Sequence, residues 1–398
     1  MNRSALKLFF FCISIVLFLP GCASLSARDP LPESLANVAA IPGIPGARQW
    51  ADASPPEIED WLKLPKAELK QSSPAAFAKP HTYLAISGGG QNGAFGAGLL
   101  YGWTEAGTRP EFTMVTGVST GALIAPFAFL GSEYDSVIKE IYTTHSTEDL
   151  LSIRSFLKIL RLDAATDSSQ LRDKLVQYID QDVLEAIARE YQKGRMLTVI
   201  TTNLDAARPV VWNIGNIAAS GHPDALTLIH DVLLASASIP AVFPPIMIDV
   251  EANGESYDEL HVDGGATSIL YLYPIGLDWA KVLAKLEVPS EPKVYILRNG
   301  KWTNSWDAVK RSTIPIAARS IDSLMGSVVQ GDAYRIYLAA QRDGIDYNLA
   351  YMPEDFDEIA TEAFDTDYMT KLFALGRQQG LAGYDWHKAP PGYDTSIR

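Results

Sequence analysis

Tyr83-Leu84-Ala85-Ile86-Ser87-Gly88-Gly89-Gly90-Gln91-Asn92-Gly93 and Phe112-Thr113-Met114-Val115-Thr116-Gly117-Val118-Ser119-Thr120-Gly121 decide how this chain folds. In each stretch a short apolar run of strand length stops at a glycine-rich turn. Residues with helical spacing follow. After the first turn Phe95, Leu99 and Trp103 recur at i, i+4 and i+8, so 94–106 reads as a helix; after the second an apolar helix runs to Leu130. Strand, turn and helix, repeated at once, mark an α/β domain built on a mostly parallel sheet.

The alternation continues outward. Residues 196–201 read as a strand running into Thr202-Asn203-Leu204-Asp205, with 210–214 as its hairpin partner. A helix over 230–236 leads into Ala237-Ser238-Ile239-Pro240-Ala241-Val242-Phe243-Pro244-Pro245, and a further strand ends at His261-Val262 before Asp263-Gly264-Gly265. A late strand is expected at 293–299, one or two long helices over 317–342 and a last helix over 368–381. Between 131 and 195 the chain reads as helical and charged, with 171–191 its clearest amphipathic run. No linker interrupts 82–385, so 81–385 is expected to be one domain. Residues 22–80, rich in Pro, Ala and Ser, read as a tether and N-terminal extension with a short helix near 58–64 lying across the domain, and 386–398 as a tail.

Composition narrows the classes. Of 398 residues, 47% are hydrophobic and 20% charged, which supplies a large core and argues against disorder. With 33 basic and 47 acidic side chains the formal charge is −14, so the basic footprint of a nucleic-acid-binding protein is absent. No repeat of solenoid or propeller period is visible. At the N-terminus Arg3 and Lys7 precede a near-continuous apolar run from Leu8 to Leu19. That run is too short to span a bilayer but suits a secretory signal. Leu19-Pro20-Gly21-Cys22 resembles the lipobox of bacterial lipoproteins, which implies a signal peptide over 1–21 and a lipid on Cys22. Ala23 in place of Asp points to a lipid-anchored protein of the cell envelope, sorted to the outer membrane. Cleavage there removes Arg3, Lys7 and Cys12, leaving a charge of 31 minus 47, or −16, and Cys22 as the one cysteine. A disulfide within the mature chain, a thiolate zinc site and a cysteine nucleophile are then excluded.

The glycine motifs carry the chemistry. Gly117-Val118-Ser119-Thr120-Gly121 between a strand and a helix is the nucleophile-elbow pattern: small flanking residues let strand and helix approach closely and lift the hydroxyl above the sheet. Gly88 to Gly93 fits the glycine spacing of a dinucleotide loop, but the second strand runs into the serine elbow instead of ending at an acidic residue. No Gly-Lys-Ser/Thr follows for a phosphate loop. The other use of such a run is an oxyanion hole, in which backbone N–H groups at a helix start face developing negative charge. Serine also needs a base. Among His81, His145, His222, His230, His261 and His387, only His387 has the chain order of an α/β-hydrolase triad, and it lies in a Pro- and Gly-rich tail. Asp263, at the end of an apolar strand and followed by two glycines, is the stronger candidate.

In order and rough spacing, Ser87 to Gly93, Gly117 to Gly121, Ser236 to Pro245 and Asp263-Gly264-Gly265 resemble the motifs of patatin-like phospholipases. The likeness covers about 82–385. It implies a three-layer α/β/α sandwich with a mostly parallel central sheet. It also implies a Ser–Asp dyad without histidine, hydrolysing acyl esters of lipids; no cofactor and no metal are expected. Carried over by motif, Ser119 is the nucleophile, Asp263 the base, and Gly88, Gly89 and Gly90 the oxyanion donors. Where the family usually has Arg or Lys, this chain has Asn92. The expected partners are a lipid or acyl-ester substrate and, through the N-terminal anchor, a membrane. Nucleic acid is not among them, and oligomeric state is not legible. Two alternatives stay open: a catalytically silent lipoprotein that binds lipid or a partner, and an acyltransferase. Trp302, Trp306, Lys310 and Arg311 form a small aromatic-basic group that either touches a lipid interface or packs beneath a loop.

Overall fold

The computed structural model describes residues 28–153, 164, 166–304, 306 and 308–394; the stretch expected to be a signal peptide, 1–21, and Cys22 lie outside them. Nine strands form one sheet: β1 (Arg48–Trp50), β2 (Thr82–Ile86), β3 (Met114–Val118), β4 (Met196–Asn203), β5 (Arg208–Asn213), β6 (Ile246–Ala252), β7 (Glu255–Asp263), β8 (Lys293–Lys301) and β9 (Asp346–Met352). The order is β1-β5-β4-β3-β2-β8-β9, with β7 pairing to both β4 and β6. Strands β4, β3, β2, β8 and β9 run parallel, while β5 and β7 run antiparallel to β4. The chain steps from β2 to β3 and β4 on one side and later returns to the other side through β8 and β9. Such a switch opens a crevice at the carboxyl ends of the strands beside β2, where ligands of open α/β sheets bind.

Seven helices matter for the site: α1 (Gly93–Glu105), α2 (Thr120–Leu130), α3 (Ser169–Tyr178), α4 (Gln181–Gln192), α5 (Ala225–Ser236), α6 (Thr313–Asp343) and α7 (Thr366–Ala382). Alternate residues of β2 enter opposite layers, as the two-residue period of a strand requires. Leu84 and Ile86 join Phe95, Leu99 and Phe127 on one face; Tyr83 and Ala85 join Ile336, Tyr337 and Tyr347 on the other. The result is the expected three-layer α/β/α arrangement around a mostly parallel sheet.

Helices α1 and α7 cross at near-touching distance. A Cβ on Gly98 would sit 2.1 Å from the Phe373 carbonyl oxygen and one on Gly102 2.0 Å from that of Arg377; Gly376 and Gly380 face the Phe95 and Leu99 carbonyls in the same way, at 2.3 Å each. Four glycines therefore let two backbones pack with no side chain between them. That contact fixes the C-terminal helix over the helix that opens from the glycine loop.

Several expectations are corrected. From Arg28 on, the stretch 22–80 is no tether but part of the folded body. Arg28 is ion-paired to Asp205 and Asp258, β1 extends the sheet edge, and Arg48 pairs with the buried Glu259 at 2.5 Å. Ile41, Ile44 and Leu69 are buried, so the short apolar groups scattered along this stretch are core residues. The tail is packed as well: the Trp386 ring lies 5.0 Å from Trp103 and 4.7 Å from Tyr295, and His387 bridges to Leu349. The run 171–191 is two helices, because the Asp180 side chain caps the second by accepting from Val183 N–H. Strand β9 was not anticipated. Asp346 and Asn348 interrupt its apolar pattern, and Asn348 is nonetheless buried, donating to the Val294 carbonyl.

Gly98→Ala should lower stability by about 1–3 kcal/mol, the usual cost of overpacking, read as a lower midpoint in urea unfolding. An unchanged midpoint would mean that α1 and α7 can separate freely.

Candidate active site

Strand β3 ends at Val118, and Ser119 turns the chain into α2 with φ 55° and ψ −127°. This left-handed conformation is costly for a residue with a side chain and persists only where its surroundings enforce it. They do so by crowding. A Cβ on Gly117 would lie 2.4 Å from the Gly121 oxygen, and one on Gly121 2.3 Å from the Ile86 oxygen. Only glycines fit that close approach of strand to helix. The Ser119 N–H donates to Ser236 Oγ at 2.9 Å, and the Ser236 hydroxyl donates in turn to the Ile200 carbonyl at 2.7 Å.

Asp263 arrives from the opposite direction. Residues Met196–Ile200 of β4 pair with β3, and the next three, Thr201 to Asn203, pair with the end of β7 on the same edge. The opposite edge of β4 is taken by β5. Two strands thus meet head to head along one edge: Val118 stands opposite Ile200 and Asp263 opposite Thr201. The next residue after Val118 is Ser119. The Asp263 N–H donates to the Ser238 carbonyl at 2.9 Å, so the end of α5 and the residues just after it hold Ser119 through Ser236 and Asp263 through Ser238.

Both side chains are buried. Asp263 Oδ1 accepts the Gly265 N–H at 2.7 Å, while Oδ2 has no hydrogen-bond partner. Burial pushes the Asp263 carboxyl up to about 7; the neighbouring Ser119 hydroxyl and the Gly265 N–H pull the other way. The hydroxyl is close enough to stabilise the carboxylate without closing a hydrogen bond of ordinary geometry. Loose contacts of this kind are common in unliganded acid–base pairs.

The glycine loop lies against the serine: a Cβ on Gly88 would be 3.1 Å from Ser119 Cβ. Asn299 of β8 holds that loop. Its N–H donates to Ser87 Oγ and its Nδ2 to the Ser87 carbonyl, both at 2.8 Å, while its Oδ1 accepts the Gly96 N–H at 3.1 Å. A Cβ on Gly89 would fall 2.1 Å from the Asn299 oxygen, which demands glycine there. The Gly88 N–H is committed to the Ile269 carbonyl at 3.3 Å, whereas the Gly89 and Gly90 N–H groups donate to no partner among the described residues. Asn92 points elsewhere, its Oδ1 accepting the Tyr368 hydroxyl at 2.7 Å.

The histidines bond partners other than Ser119 and Asp263. His261 shares its ring nitrogens between Thr201 Oγ1 and Glu259, and burial lowers its pKa. His387 stacks on Tyr351, beside β9 and three strand positions from β3. His81 and His230 bond the Ala76 and Ile179 carbonyls, and His222 lies against Gly43. His145 bonds the Tyr178 hydroxyl at 2.8 Å on the wall of a cavity that opens at Ser119. That cavity has a volume of about 80 Å³ and is walled by Leu123, Phe127, Leu175, Leu233, Phe243 and Met369. Its surface is almost wholly apolar.

Sequence reasoning brought together Ser119, Asp263 and the glycine loop, but it left Asn299 unremarked and gave Ser236 no bond to make. A polar residue ending the apolar run Val294-Tyr295-Ile296-Leu297 was the available signal for Asn299. No group of side chains able to hold a metal ion occurs among the described residues.

Residues 84–273 match the sequence model of the patatin-like phospholipase family, and the glycine loop from Ser87, the elbow and the Asp263 turn all lie within the matched stretch. No curated protein sequence matches the chain. Among solved structures, VipD from Legionella pneumophila is 14% identical with a TM-score of 0.37, covering 77% of this chain and 67% of its own. Human GIVD cytosolic phospholipase A2 is 11% identical with a TM-score of 0.29, covering 64% and 48%. Its complex with methyl gamma-linolenyl fluorophosphonate is 11% identical at 0.30, covering 84% and 64%. This chain therefore spans about half to two thirds of those molecules, and overlaps this loose assign no residue a role.

Two outcomes follow from the geometry. Ser236→Ala leaves the Ser119 N–H and the Ile200 carbonyl without their shared partner and should cost about 1–3 kcal/mol in urea unfolding. Asp263 has a folded pKa above its unfolded value, so its contribution to stability is fully present below about pH 4 and is lost as pH rises through about 7. Asp263→Asn should then raise the melting temperature at pH 8 and leave it nearly unchanged at pH 4. Equal shifts at both pH values would contradict a carboxyl titrating near 7.

Proposed function

We propose that this protein is a serine acyl-ester hydrolase acting on lipids, anchored to the bacterial cell envelope by a lipid on Cys22. The observation that carries the reading is the pairing of a strained, buried serine that lines an apolar cavity with a buried carboxylate whose Oδ2 lacks a partner. An uncommitted acceptor in such a place costs free energy unless it has a proton to take.

In the proposed reaction the acyl chain enters the apolar cavity and its ester carbonyl sits over Ser119. Asp263 accepts the hydroxyl proton through Oδ2 as Ser119 Oγ attacks the carbonyl carbon. The Gly89 and Gly90 N–H groups receive the oxyanion, because the Gly88 N–H is already spent on Ile269. The tetrahedral intermediate collapses, the alcohol leaves with the proton from Asp263, and the acyl group stays on Ser119. Water then attacks the acyl-enzyme, gives its proton to Asp263, and the fatty acid departs as the proton returns to Ser119 Oγ. A carboxylate of ordinary acidity is a poor base for a serine; one raised to about 7 lies near the working pH and serves better.

Ser119→Ala and Asp263→Asn should each abolish hydrolysis of a defined phospholipid and glyceride mixture followed by mass spectrometry, while His387→Ala should retain it. A fluorophosphonate should label Ser119. Because the base must be ionised, kcat/KM should fall about tenfold for each pH unit below about 7. A dead His387→Ala with an active Asp263→Asn would refute the dyad. Labelling without any product from a broad lipid set would favour a lipid-binding protein that has kept the fold.

A further inference from the structure

Helix α6 spans about 46 Å at 1.5 Å per residue, yet only its second half is packed. Val329, Ala333, Ile336, Tyr337 and Ala340 recur at helical spacing and fill one layer of the core. No described side chain from 313 to 328 is buried. That first half is not polar. Ile316, Ile321 and Leu324 are 48%, 38% and 66% exposed, and in the preceding loop Val309 is 38% and Trp306 95% exposed. The aromatic-basic group read from the sequence is thus divided: Trp302 is buried beneath the Arg298 guanidinium, 5.3 Å away, while Trp306 projects into solvent.

Charge singles out the same stretch. Between 301 and 328 there are four basic and two acidic residues, against 33 and 47 in the whole chain. Lys310 and Arg311 are exposed and make no ion pair among the described residues. An acidic protein is repelled by an anionic surface everywhere except where its charge reverses locally. The stretch is also attached to the active site. Met325 Cε lies 3.2 Å from where a Cβ on Gly265 would be, and Asp332 Oδ2 accepts the Ile269 and Leu270 N–H groups at 2.8 and 3.1 Å. The helix therefore braces the turn that carries Asp263.

We propose that Trp306, Val309, Ile316, Ile321 and Leu324, with Lys310 and Arg311, form a docking face that seats the protein on an anionic lipid–water interface beside the Asp263 turn. Tryptophan favours the headgroup level of a bilayer, an apolar helix face inserts shallowly beneath it, and lysine and arginine attract anionic headgroups. This assignment gives purpose to the lipid-hydrolase reading and rests on it in that respect, but its test needs no turnover.

The chain from residue 22 onward carrying Cys22→Ser, so that neither an attached lipid nor the apolar run Leu8–Leu19 contributes, would be mixed with vesicles of phosphatidylethanolamine and phosphatidylglycerol. Trp306→Ala/Leu324→Ser and, separately, Lys310→Glu/Arg311→Glu should each weaken vesicle partitioning about tenfold or more, the second pair losing its effect on purely zwitterionic vesicles. Brominated lipid should quench a fluorescence component that Trp306→Phe removes. Hydrolysis of a water-soluble short-chain ester should be unchanged in all variants, showing the site intact. Unaltered partitioning in both double variants would overturn the proposal, as would a sedimentation shift from dimer to monomer with no change in vesicle binding. Loss of all ester hydrolysis in the parent chain, with partitioning still dependent on these residues, would sink the enzymatic reading and leave the docking face standing.

Discussion

The structure turns on one edge of β4. Its first residues pair with β3 and the next three with the end of β7, so two strands running in opposite directions stop nose to nose on a single hydrogen-bonded rail. Backbone ladder geometry then delivers Ser119 and Asp263 to neighbouring positions, although 144 residues separate them in the chain. Other parts of the fold hold that junction. Ser236 ties the elbow to Ile200, Ser238 accepts the Asp263 amide, and glycines at 117 and 121 permit the close approach of β3, α2 and β2.

Burial at the junction has opposed effects on stability and chemistry. Withdrawing the Asp263 carboxyl from water raises its pKa to about 7, which suits it to the proposed role of base and makes its ionised form a load on the fold. Ser119 adds backbone strain to the same spot. Both are carried by a core that fills two layers and by helices locked through four glycines. The N-terminal stretch contributes as well, since Arg48 reaches Glu259 and Glu259 in turn holds His261, two residues before Asp263. The histidine nearest Asp263 in sequence is therefore part of a structural ion-pair cluster.

The glycine loop shows how a motif is narrowed by its surroundings. Three consecutive glycines look equivalent in the chain, yet Asn299 and Ile269 make them different. One amide is consumed by Ile269, one glycine is obligatory because the Asn299 carbonyl occupies the place of its side chain, and the amides of Gly89 and Gly90 remain available. Asn92 bonds Tyr368 on α7 and so links the loop to the C-terminal helix.

What the chain could announce alone was whatever depends on neighbouring residues. Apolar runs ending in glycine turns specified the α/β alternation, the elbow at Ser119 and the loop at Gly88 to Gly93, because strand length, helical period and steric room at a turn are local properties. Asp263 stood out at the end of an apolar strand before two glycines, and the resemblance of four short motifs gave it the role of base. Only the folded chain decided the rest, since each remaining feature joins residues remote in sequence. These are the shared edge of β4, the grip of Asn299 on the loop, the burial that shifts Asp263, and the packing of 28–80 and 386–394 into the body. Strand β9, with polar Asp346 and Asn348 in its apolar run, was hidden for the same reason: its partners Val294 and Lys388 come from elsewhere in the chain. A hydrogen bond or an ion pair made across the fold leaves no periodicity behind.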